Sequence, residues 1–153
     1  TSIRWFEALL LNYAGFAPTE CSLLEKCANY LVVEFTGDVF PCDFYVQPRL
    51  KLGNLLETPL PTLFNTRQQA NFGRLKQDLP PHCRNCSWRQ RCRGGCTKDR
   101  LRHSPVDGLN YFCEAYQRFF AHVDAPLKNL AEGWQKNAAR SASQQCYPEE
   151  STR

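Results

Sequence analysis

The sequence contains no methionine, and its first residue is Thr1. Because translation starts with methionine, we expect this chain to be an excised or processed piece of a longer protein. No apolar run approaches the ~18 residues that a membrane-spanning helix needs. The first residues also lack the basic and apolar segments of an export signal. We therefore expect no membrane partner and a cytoplasmic location.

The chain has an ordinary globular composition. Its 153 residues are 42% hydrophobic and 22% charged, with a net charge of +4. This balance argues against a disordered chain, and the length is that of one domain.

Cysteine is the residue that stands out. There are nine, an odd number, so disulfides alone cannot use every thiol. Eight of them form two groups, and Cys146 lies alone near the end. The first group is Cys21, Cys27 and Cys42, and the second is Cys83, Cys86, Cys92, Cys96 and Cys113.

Eight thiolates suit two metal sites of four ligands. Sulfur ligands select zinc or iron–sulfur clusters, and zinc sites made of four cysteines usually contain paired C-x2-4-C knuckles. Only Cys83/Cys86 and Cys92/Cys96 have that spacing. The wider intervals favour a larger inorganic cluster, while zinc and disulfides remain open alternatives.

A basic segment overlaps the second cysteine group. Residues 84–102 carry seven basic side chains and one acid, Asp99, a net charge of +6. Such a segment can compensate an anionic thiolate site, bind a phosphate backbone or simply be solvated. Gly94 and Gly95 beside Cys96 would let the backbone approach a bulky inorganic group.

The periodicities predict a small α+β domain. Apolar spacing predicts helices over 3–14 and 110–123, with a third beginning at Asn65 or Thr66. Residues 30–40 predict a β-hairpin that turns at Thr36-Gly37-Asp38. We expect extended chain at 44–46, a loop over 82–102 and a frayed polar tail near the end.

Four local strings together resemble one known family. They are GDVFPCDFYV, KLGNL, CRNCSWRQRCRGGC and NYFC, and the resemblance covers about residues 21–123. With the eight-cysteine spacing, they are similar to the SPASM domain of radical SAM enzymes, especially that of anaerobic sulfatase-maturating enzymes. The family often has glycine after the second cysteine, where this chain has Ala28.

The resemblance implies two auxiliary 4Fe–4S clusters with interleaved ligands. It also implies that Asp43, directly after Cys42, is the catalytic base that deprotonates the substrate side chain. The local alternative is that Asp43 only caps a turn. Cys146 has no counterpart in the family motif and is expected to be a free thiol. The implied ligands are Cys21, Cys27, Cys42 and Cys96 for one cluster, and Cys83, Cys86, Cys92 and Cys113 for the other.

The resemblance further implies an oxidoreductase that converts a sulfatase Cys or Ser to Cα-formylglycine. S-adenosylmethionine and a third 4Fe–4S cluster would bind in a radical SAM core. That core needs a C-x3-C-x2-C run, but Asp99 stands where Cys92-x3-Cys96 would continue it. We therefore expect the fragment alone to be inactive. Its expected partners are the sulfatase polypeptide, its own radical SAM core and an electron donor or acceptor protein, without nucleic acid.

Two other interpretations remain open at this point. One is the SPASM domain of another peptide-modifying maturase, and the other is a zinc-binding interaction module. On the family interpretation, residues 1–20 are a helix and linker from the core, 21–124 are the SPASM domain, and 125–153 are a flexible polar tail.

Overall fold

The structure is a computed structural model that describes residues 2–103 and 108–144, except for the side chains of 101–103 and 142–144. Cys146 lies outside the described residues. The α-helices of this part are α1 Arg4–Tyr13, α2 Leu60–Phe64, α3 Arg67–Arg74, α4 Pro81–Arg84, α5 Arg89–Cys92, α6 Thr97–His103 and α7 Cys113–Gln144. Short 3₁₀ helices lie at Cys21–Leu23, Asp43–Tyr45 and Pro48–Leu50. No helix among the described residues is long and apolar enough to cross a membrane.

A small antiparallel sheet confirms the predicted hairpin. Strand β1 (Val32–Val33) pairs with β2 (Asp38–Phe40), and β2 pairs with β3 (Gly53–Asn54). The Asn54 side chain donates to the Thr36 carbonyl at 3.0 Å and to Asp38 at 2.8 Å. Lys51 pairs with the same carboxylate at 2.6 Å. The KLGNL string therefore closes the sheet around the Gly37 turn.

Helices α1 and α7 pack against each other and form the main apolar core. Leu9 and Phe120 are fully buried at their contact. The Trp5 ring lies 5.1 Å from that of Phe119, and Trp88 stacks on Phe120 at 5.8 Å. Trp88 thus connects this core to the cysteine-rich segment.

The prediction that the last helix ends at Val123 is wrong, because α7 continues through Pro126 to Gln144. Proline inside a helix removes a backbone donor and costs roughly 3 kcal/mol. Burial of Leu127 and Ala131 offsets that cost. Beyond them, Trp134 packs on Phe16 at 5.4 Å. Much of the expected polar tail is therefore helical.

Two further local predictions differ from the structure. Residues 82–102 form parts of α4, α5 and α6 instead of a continuous loop. Proline is tolerated in the first turn of a helix, so Pro81 begins α4. Arg93 and Gly94 end α5 in left-handed conformation, with φ of 51° and 74°. Residues 43–45 form a 3₁₀ turn where extended chain was expected.

Candidate metal centre

The first cysteine site, site A, is the cavity lined by Cys21, Cys27, Cys42 and Cys96. Cys21 lies in a 3₁₀ turn, Cys27 in the following loop and Cys42 two residues after the end of β2. Cys96 comes from far along the chain, just before α6. Phe72, Pro41 and Phe44 supply apolar walls. Site A therefore brings together the four residues of one implied ligand set.

The second site, site B, is the cavity lined by Cys83, Cys86, Cys92 and Cys113. Cys83 and Cys92 lie in α4 and α5, and Cys113 is the first residue of α7. Trp88 and Tyr116 cover this cavity from the α1–α7 core. Site B therefore brings together the four cysteines that the resemblance implies for the other cluster.

The loop between α5 and α6 joins the two sites, because Cys92 lines site B and Cys96 lines site A. Buried Asn110 fixes this loop by donating to the Gly94 carbonyl at 3.2 Å and to the Cys96 carbonyl at 3.4 Å. A Cβ on Gly95 would lie 2.5 Å from Asn110 Nδ2. The Asn110 side chain thus accounts for the close approach at Gly95. Gly94 lines site B, and close approach of an inorganic group to it stays a prediction.

Burial controls the protonation of the thiols. It raises the pKa of Cys21 and of Cys92 to about 11, and it also raises the pKa of Cys27, Cys42 and Cys83. Metal-bound cysteine is a thiolate. A metal centre that bound at either site would therefore displace protons from these thiols.

The donor set fits a sulfur-bridged cluster. The eight described cysteines are free thiols, without a disulfide among them. A structural zinc ion needs four ligands at about 2.0–2.3 Å. Within the described residues, no group of three His, Cys, Asp or Glu side chains is arranged to hold one metal ion. A 4Fe–4S cluster takes four cysteine thiolates, and each site supplies four cysteines.

A buried lysine that the sequence did not single out also lines site A. Lys76 is fully buried and donates from Nζ to the Cys21 carbonyl at 2.6 Å and to the Ser22 carbonyl at 2.8 Å. Burial lowers the pKa of Lys76, and the nearby Cys27 and Cys21 thiolates act in the opposite direction. No periodic pattern marks this residue in the sequence.

Asp43 lies at the exposed rim of site A. Its carboxylate accepts a hydrogen bond from the Tyr30 hydroxyl at 2.9 Å and from Cys42 Sγ at 3.3 Å. The Tyr30 bond is the main cause that lowers the pKa of Asp43, and the N–H groups of Asp43 and Phe44 act in the same direction. The carboxylate is thus both accessible and locally bonded, and Tyr30 is a neighbour that sequence reasoning missed.

Several basic residues of segment 84–102 have structural partners. Arg91 donates to the Asn12 carbonyl at 2.8 Å and lies 3.9 Å from the centre of the Tyr13 ring. Arg100 is buried and donates to backbone carbonyls. These contacts hold helices together and weaken the case for a phosphate-binding surface.

Comparison with known families agrees with this arrangement. Residues 21–87 match the SPASM family, described as an iron-sulfur cluster-binding domain. The matched segment contains Cys21, Cys27, Cys42, Cys83 and Cys86. Residues 21–87 are therefore similar to an iron–sulfur cluster-binding domain, which confirms the resemblance inferred from the motifs.

The relatives of this chain are anaerobic sulfatase-maturating enzymes. The chain is 38% identical over 124 residues to the serine-type enzyme of Bacteroides thetaiotaomicron, covering 79% of this chain and 30% of that protein. It is 36% identical over 133 residues to the cysteine-type enzyme of Clostridium perfringens, covering 85% and 35%. The chain thus spans about a third of the length of these relatives.

A solved structure of the same kind has a similar fold. The structure described as native anSMEcpe with bound AdoMet and Kp18Cys peptide matches with a TM-score of 0.77 and 34% identity. The match covers 87% of this chain and 37% of that one. The small α+β architecture predicted from the sequence is thereby confirmed.

Proposed function

We propose that this chain is the auxiliary-cluster part of an anaerobic sulfatase-maturating enzyme. The whole enzyme would oxidise a Cys or Ser of a sulfatase polypeptide to Cα-formylglycine. The proposal is carried by one observation: two cavities, each lined by four free thiols in the combinations that the resemblance implies. Its relatives include both serine-type and cysteine-type enzymes.

Site A and site B would each hold one 4Fe–4S cluster through four cysteines. Such clusters supply one-electron transfer when bound. The protein encloses them with Phe72 and Pro41 at site A and with Trp88 and Tyr116 at site B. S-adenosylmethionine and a third cluster would bind in a radical SAM core, and an electron donor or acceptor protein would complete the chain of transfer.

Asp43 would accept the proton of the substrate thiol or hydroxyl. It is exposed and lies directly after Cys42 of site A. A substrate peptide at this rim would therefore lie beside both a proton acceptor and a redox centre. The exposed Phe44 ring next to it offers an apolar contact for that peptide.

Metal analysis of protein reconstituted without oxygen tests the cluster assignment. We expect brown protein with about eight iron atoms per chain in the two sites, four for each cluster. Colourless protein containing about two zinc atoms would contradict the proposal.

The reaction is tested on the intact enzyme with sulfatase peptides that carry Cys or Ser, by mass spectrometry of the aldehyde product. Clusters without aldehyde formation on either peptide would favour another peptide-modifying maturase.

A further inference from the structure

Lys76 places a cationic side chain inside the wall of site A. The residue has no solvent exposure, and it lines the cavity together with the four cysteines. Its Nζ donates to the carbonyls of Cys21 and Ser22 at 2.6 and 2.8 Å. These acceptors are neutral, and no carboxylate accepts a hydrogen bond from Lys76 within the described part of the chain.

Arg100 is hydrogen-bonded to the Lys76 backbone. Its guanidinium donates to the Lys76 carbonyl at 2.8 Å and to the Asp78 carbonyl at 2.9 Å. Arg100 is only 6% exposed and lies in α6, which begins directly after Cys96. The position of Lys76 is therefore coupled to the helix that begins directly after Cys96, the last cysteine of site A.

Among the described residues that line site B, none is a buried cation. The basic neighbours of this site, His82 and Arg89, are exposed. Water and salt screen exposed charges strongly, whereas a buried charge acts through a lower dielectric. The two sites therefore differ in electrostatic environment although both offer four thiolates.

Burial raises the pKa of cysteines at both sites, and two buried cations act in the opposite direction. Arg100 lowers the pKa of Cys83 at site B as well as that of Cys27 at site A. Lys76 lowers the pKa of Cys21 and Cys27, both at site A.

We propose that buried Lys76 selectively raises the reduction potential of the centre held in site A. This inference rests on the proposed function, since it presupposes a redox centre there. Reduction adds one negative charge to a site that is already anionic. A nearby ammonium group stabilises the reduced form more than the oxidised form, so the potential rises. Lys76 would thus make site A, the site beside Asp43, the better electron acceptor.

The test is a redox titration of the intact protein, reconstituted without oxygen and followed by EPR. Lys76→Met removes the charge with little change of length, and Lys76→Gln keeps a donor for one carbonyl. Signals are assigned with Cys42→Ser and Cys113→Ser, each of which removes one cysteine from one site. In both neutral variants, we expect the equilibrium constant for reduction of the site A centre to fall at least tenfold. For a one-electron couple, a tenfold fall corresponds to a reduction potential that is about 59 mV lower. The site B potential should stay unchanged.

Two variants serve as controls. Lys76→Arg keeps the charge and should keep the site A potential near that of the unmodified protein. Lys26→Met removes an exposed lysine next to Cys27 and should have little effect, because water screens that charge.

The outcomes separate this inference from the proposed function. If the unmodified protein binds two clusters but neither neutral variant shifts the site A potential, the inference is wrong and the proposed function stands. Equal shifts at both sites would also overturn it. Loss of the site A cluster in both neutral variants would mean that Lys76 serves assembly instead. Absence of iron in the unmodified protein would refute the proposed function itself.

Discussion

Gly73 of α3 is hydrogen-bonded to Cys27 of site A, whose N–H donates to the Gly73 carbonyl at 3.2 Å. The two segments lie so close that a Cβ on Gly73 would be 2.9 Å from the Cys27 carbonyl oxygen and 3.1 Å from the Ala28 Cβ. Helix α3 therefore fixes the backbone of a cysteine that lies more than forty residues earlier in the chain.

Gly73→Ala should displace Cys27 and impair site A. The added methyl group meets backbone, which cannot rotate away as a side chain can. We expect iron content to fall by up to half, from about eight to about four atoms for the two sites. Gly133→Ala is the matched control, because nothing lies within 4 Å of a Cβ there. Undiminished iron in Gly73→Ala would show that the Cys27 loop adapts.

Ala28 has a left-handed backbone conformation, with φ of 71°. This conformation costs a non-glycine residue roughly 1–2 kcal/mol. Glycine would remove that cost, but it would also make the unfolded chain more flexible, and this entropy offsets part of the stabilisation. Ala28→Gly should therefore stabilise the fold by about 0.5–1 kcal/mol, measured by anaerobic urea unfolding. The same change at exposed, helical Ala115 should destabilise it by a similar amount. Destabilisation by Ala28→Gly would rule out strain at this turn.

The sequence predicted the elements whose signals are local. The hairpin followed from the run of β-forming residues before Gly37, and the Thr66 cap of α3 was visible as a polar residue before a helical pattern. Thr66 indeed accepts the Gln69 N–H at 3.1 Å. The length of α7 was missed because Pro126 was given more weight than Leu127, Ala131 and Trp134, which recur at helical spacing beyond it.

The site was predictable only in part. Spacing alone left open how Cys96 and Cys113 divide between two sites, because that division depends on contacts far apart in the chain. The resemblance supplied the pairing, and the four cysteines of each implied set line one cavity. Lys76 could not be predicted, since a single lysine after a polar helix usually faces solvent. Its burial depends on tertiary structure, in which it contacts the distant residues Cys21 and Arg100.

Phe120 connects the main core to site B. It is fully buried and stacks on Trp88, which lines site B beside Cys92. Phe120→Ala should cost about 3–5 kcal/mol of unfolding free energy, measured by anaerobic urea unfolding, and should release iron from site B on milder heating. Phe35→Ala, at a ring that is 98% exposed, is the control and should have little effect. If Phe120→Ala lowered the free energy of unfolding as little as Phe35→Ala does, the packing of Phe120 described above would be wrong.

The contact between Tyr13 and Asp124 should make the packing of α1 on α7 sensitive to pH. The Tyr13 hydroxyl donates to Asp124 at 2.8 Å, and Lys128 donates to the same carboxylate at 2.6 Å. The Lys128 bond, followed by the Tyr13 bond, lowers the pKa of Asp124. A carboxyl group with a lowered pKa stabilises the fold above its ordinary pKa of about 3.9, and this contribution is lost as the pH falls through the lowered value.

Tyr13→Phe should therefore lower the urea midpoint at neutral pH, and its difference from the unmodified protein should shrink on acidification. Asp124→Asn removes the titrating group. In that background, the effect of Tyr13→Phe on the urea midpoint should therefore be the same at neutral and at acidic pH. A Tyr13→Phe effect that is constant from neutral to acidic pH in the unmodified background would show that Asp124 is not responsible.

Asp43→Asn tests the proton acceptor of the proposed reaction in the intact enzyme. The amide keeps nearly the same shape and can still contact Tyr30, so both clusters should assemble with unchanged iron content. An amide cannot take up the substrate proton, and loss of a general base typically slows a reaction by about 10²–10⁴-fold. The measurement is the initial rate of aldehyde formation on a sulfatase peptide without oxygen. Asp78→Asn, at another exposed carboxylate, should leave that rate near its original value. If turnover were unchanged in Asp43→Asn, Asp43 would not be the proton acceptor and would only cap its own turn.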